Sequence, residues 1–157
     1  MNDPHEQPLT LALKSIPHEG APSRLPTRAT EGSAGLDLYA AVAQPVTIAP
    51  RALARIPSGV AVGLPGPGYV GLVFARSGLA VKHGVALSNG VGVIDSDYTG
   101  EVVVGLCNLG DAPYTIEPGE RIAQLVVLPL PALRLVQTDS LGQTERAAGG
   151  FGSTGKF

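Results

Sequence analysis

The densest grouping of chemically capable residues is Asp-Ser-Asp-Tyr-Thr-Gly at 95–100, set between the β-branched runs 91–94 and 101–107. Two runs of this kind around a polar loop predict a β-hairpin. Hairpin arms expose backbone N–H and C=O groups to anything laid between them, which suits the edge of a planar base. Asp95 and Asp97 stand two apart, so in an extended stretch they share a face. An ordinary acidic turn has the same composition. A second group is ARSGLA, 75–80, where Arg76 offers a planar fork of donors, Ser77 a hydroxyl and an amide, and Gly78 close backbone approach. Asp37 and Gln124 each interrupt an apolar run, which is costly unless the group is exposed, paired or metal-linked. The tail GFGSTGK, 150–156, satisfies GxxxxGK, but the chain continues for only one residue and Phe157 stands where a P-loop needs Ser or Thr. A P-loop fold is excluded, whereas glycine amides with Lys156 and Arg146 can still wrap a polyphosphate.

Other chemistries find no support. His5, His18 and His83 lack ligand spacing and Cys107 has no second cysteine, which speaks against structural zinc and against an internal disulfide. No G-x-S-x-G elbow is present. Eleven basic and thirteen acidic residues without a basic run make a nucleic-acid polymer a poor partner. The N-terminus lacks a signal-peptide pattern, and the longest apolar stretch, 125–133, is broken by Pro129 and Pro131 and too short for a bilayer. A soluble, cytoplasmic protein is expected.

The elements that must position these groups are short. With 21 glycines and 14 prolines in 157 residues, long helices are disfavoured, while 44% hydrophobic content is enough for a core. Strands are predicted at 9–14, 35–40, 45–48, 53–56, 60–64, 69–74, 85–87, 91–94, 101–107, 114–116, 122–128 and 132–136, with one or two helical turns at 77–82. Brief strands with such regular turns indicate an all-β sandwich or barrel. Only 15% of residues are charged, which suggests that some surface is buried between subunits.

Taken in order, SAGLDLYA, ARSGLAVKHG, NGVGVIDSDYTGEV, GERIAQLVV and RAAGGFGSTGK, spread over 33–156, closely resemble the trimeric dUTP pyrophosphatases. The resemblance implies a jelly-roll-like subunit, a homotrimer with sites shared between chains, and a division into a β-rich domain (1–145) and a glycine-rich arm (146–157) completing a neighbour's site. It implies hydrolysis of dUTP to dUMP and pyrophosphate, which removes dUTP and supplies dUMP for thymidylate synthesis. Asp95 would hold and deprotonate the attacking water. Since an aspartate ordinarily titrates near ~3.9, positioning the water must matter at least as much as proton removal. Tyr98 would lie against the sugar and exclude UTP, while Asn89 and the backbone at Val93, Ile94 and Val103 would read uracil. Arg76, Ser77, Gly78 and Gln124 would hold phosphate oxygens. Mg²⁺ would be chelated mainly by the triphosphate, with Asp37 reaching it through water. Arg146 would clamp the terminal phosphate, Phe151 stack on uracil, and Gly152, Ser153 and Thr154 close over the phosphates. The family's tail usually begins Arg-Gly, whereas Ala147 follows Arg146 here; if that position needs positive φ, alanine strains it by ~1 kcal/mol. Two alternatives are a dCTP deaminase of the same superfamily, whose glutamate would fall at Gly105, and a non-catalytic nucleotide-binding trimer.

Overall fold

The computed structural model describes residues 9–144 and 146–149. Ten strands and one helix follow in order: β1 (Ala12–Ser15), β2 (Leu36–Tyr39), β3 (Val46–Ile48), β4 (Leu53–Gly63), β5 (Tyr69–Ala75), α1 (Ser77–His83), β6 (Val85–Leu87), β7 (Gly92–Ile94), β8 (Glu101–Asn108), β9 (Tyr114–Ile116) and β10 (Arg121–Pro129). One sheet runs β1-β4-β8-β6, the other β2-β10-β5-β7, and β3-β9 forms a small ribbon. Every ladder is antiparallel. Two four-stranded antiparallel sheets face to face make the jelly-roll-like subunit expected from the sequence.

Alternation decides which side chains fill the space between the sheets. In β8, Val102, Val104 and Leu106 point inward with Asn108, while Val103 points out. They meet Leu38, Ile56, Ile122 and Leu125, all almost completely buried, and each such side chain stabilises by about 1.5–3 kcal/mol relative to exposure. Asn108 is buried yet satisfied, donating to the carbonyls of Ile48 and Ala112 and accepting from Gly110 N–H. Helix α1 buries Leu79 alone and ends at Gly84, whose φ of +71° a side chain would resist.

Three expectations need correcting. The segments 53–56 and 60–64 are one strand, β4, whose register breaks between Pro57 and Ala61; proline lacks the N–H that an unbroken ladder requires. Residues 132–136 form no strand, and Leu133 and Leu135 are 80% and 92% exposed. The hairpin expected across 91–107 is not a ladder either: β7 pairs with β5 in one sheet, β8 with β4 and β6 in the other. Among the described residues, no helix is long and apolar enough to cross a membrane.

Candidate functional site

The splayed arms create the first cleft. β7 is the last strand of its sheet, so among the described residues its outer edge has no ladder partner. β8 is paired with β6 only at Leu106–Asn108, which leaves the same edge of its first half uncovered. Between these edges lies a cavity of about 230 Å³ lined by Asn89, Val93, Ile94, Asp95, Tyr98 and Val103, with Val73 and Leu87 behind them. Six expected residues are thus brought together, and the free backbone edges expected of a hairpin come instead from two different sheets. Val93 and Val103 are exposed, at 64% and 41%, so the cleft has an open apolar wall.

Asp95 sits at the exposed rim where β7 gives way to a turn closed by Tyr98 N–H donating to Asp95 O at 3.1 Å. Asp95 lines the first cleft and also an adjoining depression, which it shares with Asp97, Ser96, Tyr69 and Leu130; Asp97 does not line the first cleft. The two residues thus meet one depression, but through a turn at 96–97 and not through the extended stretch expected for them.

The second cleft gathers Arg76, Ser77, Gln124 and Asp37 with Ser33 and Gly35 in a space of about 280 Å³. Register explains the meeting. Gln124 in β10 lies opposite Asp37 in β2 on one side and Phe74 in β5 on the other, and Arg76 follows β5 directly as the residue capping α1. Asp37 is buried and doubly paired, with Oδ1 at 3.1 Å from Arg76 Nε and Oδ2 at 3.1 Å from Arg121 Nη1. Arg121 escaped sequence reasoning. Its signal was a lone cation opening an apolar strand whose third-next residue, Gln124, pairs with the strand that carries the buried acid. Of the two guanidinium groups, only that of Arg76 lines the cleft; Arg121 shares the Asp37 carboxylate from outside that lining, so the group of three is formally positive, which favours an anion.

Gln124 Nε2 donates to Ala75 O at 3.1 Å, and Gly35 makes room for it: a Cβ there would stand 2.8 Å from Gln124 Oε1 and 3.3 Å from its Cβ. Gly35→Ala is expected to turn the amide out of that bond and cost about 1 kcal/mol. Urea unfolding checks it, and an unchanged midpoint would show that the amide has room to move.

Tyr114, in β9, lines neither cleft and donates its hydroxyl to Glu120 Oε1 at 2.7 Å. Burial, reinforced by the Glu120 carboxylate, pushes the phenol up to about 12. The same carboxylate accepts from Glu117 N–H, which fixes the turn that delivers Arg121.

Other expected residues lie elsewhere. Gly78 is in the first turn of α1 with open space where a Cβ would be, and it lines neither cleft. Arg146 is exposed in a turn, its Nε donating to Gly149 O at 2.9 Å. Phe151, Gly152, Ser153 and Thr154 lie outside the described residues. The two clefts have no lining residue in common.

Comparison with known proteins decides the family. The dUTPase family model matches residues 21–155. The chain belongs to the dUTPase family. A deoxyuridine 5'-triphosphate nucleotidohydrolase of Alcanivorax borkumensis is 48% identical over 132 residues, covering 84% of this chain and 88% of the relative. One from Desulfitobacterium hafniense is 52% identical, covering 84% and 87%. Among solved structures, the Staphylococcus bacteriophage 80alpha dUTPase with dUpNHpp superposes with a TM-score of 0.80 at 32% identity, covering 93% of this chain and 98% of that one. The sequence resemblance to this family therefore holds.

Whether a divalent ion suits the second cleft follows from its donors. Among the described residues no three His, Cys, Asp or Glu side chains converge to hold a metal, and the one carboxylate present already meets two cations. The donor set fits a hydrated Mg²⁺ carried in by a polyphosphate, with Asp37 accepting from its waters, rather than an ion held by protein alone.

Proposed function

We propose that this dUTPase-family chain hydrolyses dUTP to dUMP and pyrophosphate by water attack on the α-phosphorus, removing dUTP and supplying dUMP for thymidylate synthesis, in sites that neighbouring copies of a homotrimer share. One observation carries the reading: Asp95 stands at the mouth of a cleft walled by free strand edges, while Arg76, which with Ser77 and Gln124 would take phosphates, lines a separate cleft. A pyrimidine nucleotide needs both, so a second copy must bring its Arg76 cleft to the first copy's Asp95. The low charge of the chain and the exposed apolar segment after Pro129, including Leu130, Leu133, Leu135 and Val136, fit a surface that other copies cover.

Uracil presents acceptor, donor and acceptor along its edge. Backbone N–H and C=O groups of β7 and β8, with the Asn89 amide, offer the complementary order, and cytosine presents the wrong one. The Tyr98 ring faces the sugar and leaves no space for a 2′-hydroxyl. Arg76, Ser77, Gly78 and Gln124 take phosphate oxygens, and Asp37 keeps the Arg76 fork aimed. Mg²⁺ bound to the triphosphate offsets its charge, and Asp37 contacts it through water. Asp95 orients a water and accepts its proton, an effect of ~10²–10⁴-fold for a well-placed base.

Residues 1–145 serve as the β-rich domain and 146–157 as an arm that completes a neighbour's site: Arg146 on the terminal phosphate, Phe151 on the base, and Gly152, Ser153 and Thr154 around the phosphates. Ala147 does take φ +42°, a conformation that strains alanine by up to about 1 kcal/mol. Ala147→Gly is expected to lower KM for dUTP several-fold without changing kcat; a KM equal to that of the parent would mean the arm orders without this turn. The enzyme works in the cytoplasm, in keeping with a single free cysteine, Cys107.

A deaminase is disfavoured by the same cleft. Gly105, where the deaminase glutamate would fall, lines it, and a Cβ there would stand 2.6 Å from Ser88 Oγ. Pyrophosphate release from dUTP, measured beside UTP, dCTP and dTTP, tests the assignment. Ammonia from dCTP would replace it with the deaminase reading, and no turnover of any nucleotide would leave a binding protein.

A further inference from the structure

We infer that Glu101, braced by His18 and Gly59, sets the pose of the Tyr98 ring and thereby the rejection of ribonucleotides; this rests on the proposed sugar-facing role of Tyr98. The Tyr98 hydroxyl does not point to a ligand. It donates to the backbone carbonyl of Glu101 at 2.8 Å, so the ring is tethered at its far end. Beneath the ring lies Gly100, where a Cβ would stand 2.6 Å from the hydroxyl oxygen and 2.7 Å from Cζ. The aromatic face thus rests on bare backbone, and its height above the cleft floor depends on where the start of β8 is held.

The Glu101 side chain holds it. Its Oε1 accepts from Gly59 N–H at 2.7 Å and from His18 at 2.8 Å, and the side chain is only 16% exposed. An ionised carboxylate can only accept, so the imidazole Nε2 carries the donated hydrogen. Gly59 can donate here because it lies in the irregular stretch of β4 after Pro57, outside the β4–β8 ladder, with φ +69° and no room for a Cβ beside Ala41. Its carbonyl in turn accepts from Ile16 N–H at 2.7 Å. The segment 16–18, which touches neither cleft, is therefore fastened through the break in β4 to the carbonyl that tethers Tyr98. This gives the leading segment a part in substrate choice.

The test compares kcat/KM for dUTP with that for UTP in the full-length protein, with thermal midpoints measured alongside. Tyr98→Ala comes first: a preference that does not move overturns the sugar-facing reading, and the brace falls with it. Given a working gate, Glu101→Ala and Gly100→Ala are expected to reduce the dUTP preference about tenfold, mainly by raising UTP turnover. Glu101→Gln keeps an oxygen that accepts from both Gly59 and His18, so it should retain the preference; His18→Ala should fall between. Should Glu101→Ala fail to fold, Tyr98→Phe removes only the tether and must still erode the preference. Lower thermal midpoints or lower dUTP rates with an unmoved dUTP/UTP ratio in Gly100→Ala and Tyr98→Phe would reduce Glu101 to a structural role and overturn the inference.

Discussion

Asp95→Asn is expected to lower kcat for dUTP by about 10²–10⁴-fold while KM stays near that of the parent enzyme. The substitution keeps the size and hydrogen-bonding reach of the side chain but removes its ability to take a proton from water. Asp95 is exposed and forms no side-chain hydrogen bond or ion pair among the described residues, so the fold loses nothing through the change. In the proposed site the base would lie against strand edges and Asn89 and the phosphates would meet the other cleft, so ground-state affinity would have sources independent of this carboxylate. Steady-state kinetics and equilibrium binding of a non-hydrolysable dUTP analogue separate the two quantities. Parallel loss of affinity and rate would mean that Asp95 binds the nucleotide rather than activating water.

Truncation after Glu145 should remove most activity while leaving the subunit folded. Among the described residues, all ten strands and the helix end by Pro129, and no core side chain comes from beyond Leu125. Far-UV circular dichroism and sedimentation should therefore match the full-length protein. A charge-assisted contact from Arg146 is worth about 1.5–3 kcal/mol, and stacking by Phe151 adds about 1–3 kcal/mol. Their loss, with readmission of water to the phosphates, should reduce kcat/KM by about 10²–10³-fold. Full activity in the truncated protein would show that residues 146–157 have no part in the reaction.

Much of the scaffold could be read from residues alone, because alternation and turn chemistry are local. Strands β6 and β9 fall where Val-Ala-Leu and Tyr-Thr-Ile stand between glycine and proline punctuation, and α1 occupies the one short helical stretch. What failed depended on contacts far apart in the chain. Nothing near residue 91 indicates that β7 will add to β5 and not to β8, since that choice is made by the two-sheet packing. The segment 132–136 has the composition of a strand but pairs with no strand among the described residues. The site behaved similarly. Asp95 and Tyr98 are legible because they share the turn after β7, with Asn89 in the turn just before that strand, as are the adjacent Arg76 and Ser77. The pairing of Asp37 with Arg121 bridges 84 positions and the tie of His18 to Glu101 bridges 83, and spacing carries no trace of either.

The absence of any residue common to the two clefts has a genetic corollary. If sites are shared as proposed, a subunit crippled at Asp95 would still lend an intact arginine corner to its neighbour in a mixed assembly, and a subunit crippled at Arg76 would still present a sound aspartate. Two alleles that are each inactive alone would then rescue one another in the same cell, whereas two alleles damaged in the same cleft would not.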